Sequence, residues 1–204
     1  MTFSIIAIGR SPGEIGVAVA TGSLRVADRV PHLQPGVGAV ATQGYTRVSY
    51  GPEGLRLMKA GLEPREALRA LLARDPGREL RQVGMMDLSG RVAVHTGKLT
   101  PRWHGHLIGQ GYVVLGNLIA GSGVLEAMED AFEARRARRL GDALLAALEA
   151  GAEAGGDLRG ERSAALFMAF PDGRVLKLRV DYHPAPIEAL RKRWEAAIAS
   201  GRAM

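Results

Sequence analysis

The sequence predicts an α+β fold, a four-layer αββα sandwich with mainly antiparallel sheets. Three observations lead there. Strand-like and helix-like segments come in separate runs: strands, helices, strands, helices, strands, helix. Such runs favour α+β over a parallel α/β sheet. Short turn clusters join successive strands, so neighbours pair as antiparallel hairpins. Helix pairs inserted between strand groups can cover both outer faces of two stacked sheets. The 204 residues default to one domain over 1–200, with 201–204 as a short tail.

Taken in order, 3–8 reads as a buried strand, and Arg10-Ser11-Pro12-Gly13-Glu14 as a turn. Residues 15–20 form a second strand, ended by Thr21-Gly22-Ser23. Residues 25–34, with Pro31, are expected to be irregular, and 37–42 to be a third strand. A helix over 52–60 stops at Gly61, and a second starts at Glu63 with Pro64 in its first turn. Ala67, Leu68, Leu71 and Leu72 make the second helix's apolar stripe. Segments 82–87 and 91–95 form a hairpin around Leu88-Ser89-Gly90. The stretch 105–119, punctuated by Gly109 and Gly111, makes one or two strands. Helices are expected over 124–136 and 140–150. A last hairpin spans 164–170 and 175–180, and a terminal helix covers 186–199.

Composition narrows the function. Apolar residues make up 47 % of the chain, which marks a globular protein. No apolar run approaches the roughly 20 residues of a membrane span. The short N-terminal run lacks a basic flank, so no signal peptide and a cytoplasmic location are expected. Absence of cysteine removes disulfides, thiolate zinc sites and thiol catalysis. The net charge of +6 rests on arginine, with lysine only at Lys59, Lys98, Lys177 and Lys192. Aromatics are only 5 %, so no nucleic-acid partner is expected. Arg135-Arg136-Ala137-Arg138-Arg139 at a helix end suits the dipole and a solvated or subunit-contact face. We therefore expect a homo-oligomer and no membrane partner.

The chemistry is organised around Thr2. Removing Met1 would put a nucleophilic hydroxyl and a free α-amine on one Cα, with a strand behind them. The amine's pKa of roughly 7.7–8.0 lets it act as a base near neutral pH. The alternative is an ordinary strand threonine.

Several further fragments share an order and spacing. They include Thr2-Phe3-Ser4-Ile5, Gly16-Val17-Ala18-Val19-Ala20 with Ser23, and Gly36 to Gln43. Ser49-Tyr50-Gly51, Asp75-Pro76-Gly77-Arg78, Arg81-Gln82-Val83-Gly84 and His95-Thr96-Gly97 follow. Gly116-Asn117, Gly155 to Gly160 with Ser163-Ala164-Ala165, and Asp181 with His183-Pro184 complete the set. With these the chain resembles the N-terminal-nucleophile (Ntn) hydrolase-like family called domain of unknown function 1028. The resemblance implies the Ntn αββα sandwich with the nucleophile opening a central strand, and hydrolysis of an amide or peptide bond. The chain departs from the family pattern at Glu161-Arg162, where Arg-Gln is usual. It also lacks an Asn-Pro-like turn at Thr46-Arg47-Val48.

The remaining candidates each carry two readings. Ser23 either relays a proton at the Thr2 amine or caps its own turn. Asn117, the single asparagine, either donates to an oxyanion or occupies a bulge or left-handed position. Gln43 either reaches a substrate cleft or is a solvated strand end. Asp157 either orients the amine or binds substrate, or is a plain loop residue. Trp103 and His106 are candidates for the wall of a substrate pocket. His95, His104, His106 and His183 lack carboxylates at ligand spacing, so no metal and no organic cofactor are expected. The leading function is an amidohydrolase acting on a small-molecule or peptide amide. The rival is a non-catalytic binding protein that keeps Met1 and the same fold.

Overall fold

The structure is a computed structural model that describes residues 2–203. The expectations about Met1, and the last residue of the tail, lie outside the described residues. The chain runs β1 (Thr2–Ile8), β2 (Ile15–Thr21), β3 (Pro31–Gln34), β4 (Gly38–Gly44), α1 (Tyr50–Lys59), α2 (Pro64–Leu72), β5 (Arg81–Asp87) and β6 (Val92–Thr96). It continues β7 (His104–Gly109), β8 (Tyr112–Asn117), α3 (Ser122–Arg135), α4 (Leu140–Glu153), β9 (Ser163–Ala169), β10 (Val175–Val180) and α5 (Pro186–Ala199). The result is an α+β fold with antiparallel sheets and five helices among the described residues.

Most expected elements appear within one or two residues of their expected ends. Helix α4 runs three residues past its expected end, and the stretch 25–34 differs in kind. It holds a 3-10 turn at Val26–Asp28 and the four-residue strand β3. Pro31 discouraged a strand there because it cannot donate to a sheet ladder. An edge strand escapes that constraint, and β3 is the edge of its sheet. Helix α1 starts at Tyr50, ahead of Pro52, which still lies in the first turn where backbone N–H groups have no helical partner. Helix α2 has Pro64 at its start, and the Glu63 N–H donates to Glu66 Oε2 at 3.1 Å, closing a reciprocal cap. Residues 201–203 turn back on α5, with the Arg202 N–H donating to Ala197 O and Ala203 buried.

Six strands form one sheet in the order β10-β9-β2-β1-β8-β7, and four form another in the order β3-β4-β5-β6. Strand alternation sorts the apolar residues into three clusters. Phe3, Ile5 and Ala7 of β1 pack with Leu125, Met128, Leu144 and Leu148 of α3 and α4, and with Leu190 and Trp194 of α5. Ile6, Val17, Val19, Val113 and Leu115 of the larger sheet meet Ala39, Ala41 and Met86 of the smaller. Val40, Val83 and Met85, on the smaller sheet's other face, pack with Leu55, Met58, Leu68 and Leu71 of α1 and α2. Gly84 permits the close approach of the two sheets, since a Cβ there would lie 2.9 Å from Leu115 Cδ1. Among the described residues, no helix is long and apolar enough to cross a membrane.

Candidate active site

The face of each sheet that looks toward the other sheet is apolar at one end and polar at the other. Along β1 the inward positions read Ile6, Ser4, Thr2, and along β2 they read Val17, Val19, Thr21. Along β8 they read Val113, Leu115, Asn117, and along β9 Phe167, Ala165, Ser163. In the smaller sheet β4 gives Ala39, Ala41, Gln43, and β5 gives Met86, Gly84, Gln82. Strand register brings the polar ends together. Thr2 pairs with Asn117, Ser163 with Thr21, Gln43 with Gln82, and Gln82 with Thr96. Thr2, Ser4, Thr21, Gln43, Gln82, Asn117 and Ser163 are all buried.

Buried polar groups need partners, and these have them in a connected chain. The Ser4 hydroxyl donates to Gln43 Oε1 at 2.8 Å. Gln43 Nε2 donates to Gln82 Oε1 at 2.8 Å and to the Thr2 carbonyl at 3.3 Å. Asn117 Nδ2 donates to the same Gln82 Oε1 at 3.0 Å. Gln82 Nε2 donates to the carbonyls of Gly105 and Gly116, both at 2.9 Å, and lies 3.1 Å from Thr96 Oγ1. One atom stands apart. Asn117 Oδ1 is the buried side-chain oxygen or nitrogen with no hydrogen-bond partner among the described residues. An orphaned buried acceptor costs about 1–3 kcal/mol.

The Thr2 hydroxyl donates to Thr21 Oγ1 at 3.2 Å. Thr21 thus supplies the side-chain contact to the Thr2 hydroxyl. Ser23 acts one step away: its N–H donates to Thr21 Oγ1 at 3.2 Å, and its carbonyl accepts the Ser163 hydroxyl at 2.7 Å. The Ser23 hydroxyl accepts from Arg159 at 3.5 Å.

Asp157 holds the turn that follows Thr21. Its Oδ2 accepts the Gly22 N–H at 2.7 Å, and Arg159 bonds both carboxylate oxygens. Burial pushes the Asp157 carboxyl up, but Arg159 and the backbone donors outweigh it and hold the group below the usual aspartate range. Gly22 has no room for a side chain, since a Cβ would sit 2.7 Å from the Gly160 carbonyl.

Gln43 is not a solvated strand end; it is fully buried at the centre of the amide chain. His106 is exposed and its Nδ1 lies 3.0 Å from Thr96 Oγ1, with desolvation lowering its pKa. Trp103 is partly exposed, and its carbonyl accepts the Ile119 N–H at 3.2 Å, beside Asn117 in the chain. His104 Nδ1 is 2.6 Å from the Thr100 carbonyl, and His95 Nε2 is 2.8 Å from the Arg78 carbonyl. Among the described residues no three His, Asp or Glu side chains converge as a metal set. A cleft of about 670 Å³ between α2 and β6, lined by Arg65, Arg69, Val94 and His95, does not reach Thr2.

The sequence reading missed Ser4, Thr21, Gln82, Thr96 and Ser163. A usable signal existed. Each is the first polar residue reached along an otherwise apolar alternating face.

Residues 2–190 match the model of a family of unknown function, DUF1028. The chain belongs to this family. A crystal structure of a DUF1028 protein from Silicibacter pomeroyi is similar at 37% identity and a TM-score of 0.90, covering 96% of this chain and 85% of that one. Anbu (ancestral beta-subunit) from Yersinia bercovieri aligns at 12% identity and a TM-score of 0.39, over 99% of this chain and 97% of that one. Anbu from Hyphomicrobium sp. strain MC1 aligns at 11% identity and a TM-score of 0.46, over 98% and 96%. Those two TM-scores are too low to bear on function. No curated protein sequence matches.

Proposed function

We propose that this DUF1028 protein is an N-terminal-nucleophile amidohydrolase on a four-layer αββα sandwich, with Thr2 as nucleophile. The alternation of three apolar clusters with two sheets supports the layering. One observation carries the chemistry. The Thr2 hydroxyl sits 3.2 Å from Thr21 Oγ1 at the polar end of an otherwise apolar inter-sheet layer. Buried amides and hydroxyls cost desolvation that an apolar core would avoid. A site that has to orient reacting groups is a physical reason to bear that cost.

In the proposed reaction, loss of Met1 frees the Thr2 α-amine. The amine takes the hydroxyl proton as Oγ1 bonds to the carbonyl carbon of an amide, and the C=O pair moves onto oxygen. Asn117 Nδ2 gives one hydrogen to Gln82, and its other hydrogen serves the developing oxyanion. Collapse breaks the C–N bond, and the amine passes its proton to the leaving nitrogen. Water then cleaves the acyl ester with the amine again as base. Thr21 holds the hydroxyl, the Ser23 N–H holds Thr21, Asp157 holds the turn that follows it, and Gln43 holds the Thr2 carbonyl. Trp103 and His106 wall the substrate side.

Exposed Leu24, Tyr45, Leu99, Trp103 and Leu158 lie in loops next to the strand ends that carry the polar residues. That rim favours amides with apolar substituents. The low exposure of Thr2, 4 %, favours the rival, a binding protein that retains Met1. Intact mass followed by treatment with a β-lactone electrophile separates the two. The enzyme reading expects a chain lacking Met1 and a single adduct mapped to Thr2, lost in Thr2→Ala. A retained Met1 or an unlabelled Thr2 selects the rival.

A further inference from the structure

We propose that Gln82 positions the Asn117 amide so that its carbonyl oxygen, Oδ1, receives the α-ammonium of Thr2. The inference deepens the nucleophile reading and rests on it, since the amine exists only once Met1 has gone.

The sense of an amide side chain follows from its neighbours. Gln82 has one end 2.9 Å from two backbone carbonyls, those of Gly105 and Gly116. Carbonyls only accept, so that end is the nitrogen. Gln82 Oε1 is therefore the atom facing Gln43 at 2.8 Å and Asn117 at 3.0 Å. An oxygen there needs donors, so Asn117 must present Nδ2 to it. Asn117 Oδ1 is then turned away, fully buried and without a partner among the described residues. Two backbone carbonyls of the larger sheet thus dictate, through Gln82, which end of Asn117 is left to act.

The residue opposite Asn117 in the β1–β8 ladder is Thr2. Its hydroxyl hydrogen is given to Thr21. On the other side, the register partner His104 has Nδ1 against the Thr100 carbonyl. The donor left to answer Oδ1 is the Thr2 amine, which gains hydrogens when Met1 is cleaved. A carbonyl accepting from an ammonium favours the charged form. Bound that way, the amine is aimed and kept beside its own hydroxyl. Gln82 does not touch Thr2 and is a positioning residue.

The titratable groups around this end, among the described residues, are His104 and His106 on β7, and Asp157, with its partners Arg159 and Glu161, in the loop after α4. Arg81 of β5 lies on the opposite strand face and pairs with Asp75 at 3.0 Å. The inward side chains of β1, β2, β4 and β8 at this end are neutral Ser, Thr, Gln and Asn.

The chain's single asparagine makes the test direct. The protein is released from a cleavable N-terminal carrier so that Thr2 is the first residue whatever the cell does with Met1. Selective ¹⁵N-asparagine labelling then gives one side-chain NH₂ pair, from Asn117, to follow against pH. The Thr2 amine is titrated in parallel by competitive acylation. Expected is a common midpoint for the two signals, distinct from the imidazole titrations. Asn117→Leu should lower the amine midpoint by about one pH unit, and Asn117→Asp should raise it by at least as much. Gln82→Met should remove the pH response of the Asn117 pair while the fold, checked by melting, persists. The proposal is overturned by an amine midpoint equal in wild type, Asn117→Leu and Asn117→Asp. An unchanged Asn117 response in Gln82→Met removes the role of Gln82. If Gln82→Met does not fold, Gln82→Leu takes its place and the Asn117 pair of variants still decides. β-Lactone labelling of the released protein reports separately on the nucleophile. Coupled titration without labelling keeps the amine contact and sinks the enzyme.

Discussion

The two ends of the inter-sheet layer are built on the same strands and obey opposite rules. At one end Ile6, Val17, Val113 and Met86 meet with no polar atom to satisfy. Contacts there are non-directional, and burying each large apolar side chain contributes about 1.5–3 kcal/mol. At the other end Thr2, Thr21, Gln43, Gln82 and Asn117 meet, and every position depends on a hydrogen bond aimed at a particular atom. The apolar end holds the sheets together. The polar end is held by them, and its geometry is fixed by directed hydrogen bonds. The difference teaches where to look for function in such a layer: at the end where burial costs more than it returns.

That contrast can be broken at either end. The largest effect is expected from Thr2→Ala. On the proposed mechanism it removes the attacking oxygen, so turnover of an amide substrate, and β-lactone labelling with it, should fall at least about a thousandfold. The melting temperature should stay within a few degrees, as read by calorimetry. A variant that keeps its turnover would end the nucleophile assignment.

Next in size is Leu115→Ala at the apolar end. Leu115 is fully buried and packs against Gly84. A cavity there should cost about 2–5 kcal/mol in denaturant unfolding. Labelling of Thr2 in the folded fraction should persist. If stability were untouched but labelling lost, the proposed division of labour between the ends would be reversed.

Gln82→Ala should cost less, about 1–3 kcal/mol, because it strands donors and acceptors rather than opening a large apolar void. Its signature should be a labelling rate that drops more than stability does. Equal losses in both would make Gln82 a purely structural residue.

The smallest effect concerns pH. Asp157 is held below the usual aspartate range by Arg159 and backbone donors, against the upward push of burial. A depressed folded-state pKa gives stability that is present above the unfolded value, about 3.9, and lost as pH falls through the folded value. Acidification below that range should therefore loosen residues 155–160 and the end of β2 first. Hydrogen exchange by mass spectrometry should show protection of β2 near Thr21 falling before that near Val17. Uniform loss along β2 would contradict a local role for Asp157.

Much of this layout was legible in the chain. Alternation of apolar and polar residues, and the turns at Gly90 and Pro171-Asp172-Gly173, were sufficient to locate most strands among the described residues, with β7 and β8 left as one or two. They were not sufficient for β3, whose Pro31 is tolerated only because no strand lies beyond it. Thr2 stood out because an amine and a hydroxyl on one residue are chemistry that needs no partner to be recognised. Asn117 stood out as the single asparagine.

The sequence by itself determined the periodicity of each strand, the caps and turns, and the chemical kinds available near Thr2, because these depend on neighbours along the chain. Only the tertiary structure decided that Thr21 meets the Thr2 hydroxyl, and that Gln82 joins Gln43 to Asn117. Those choices hang on register and on the pairing of two sheets. A shift of one residue turns every side chain of a strand to the other face. Gln82 shows the limit most clearly. Its segment marks it only as the first polar residue of an apolar face, and its role comes from Gly105 and Gly116, two carbonyls of the other sheet separated from it by 23 and 34 residues.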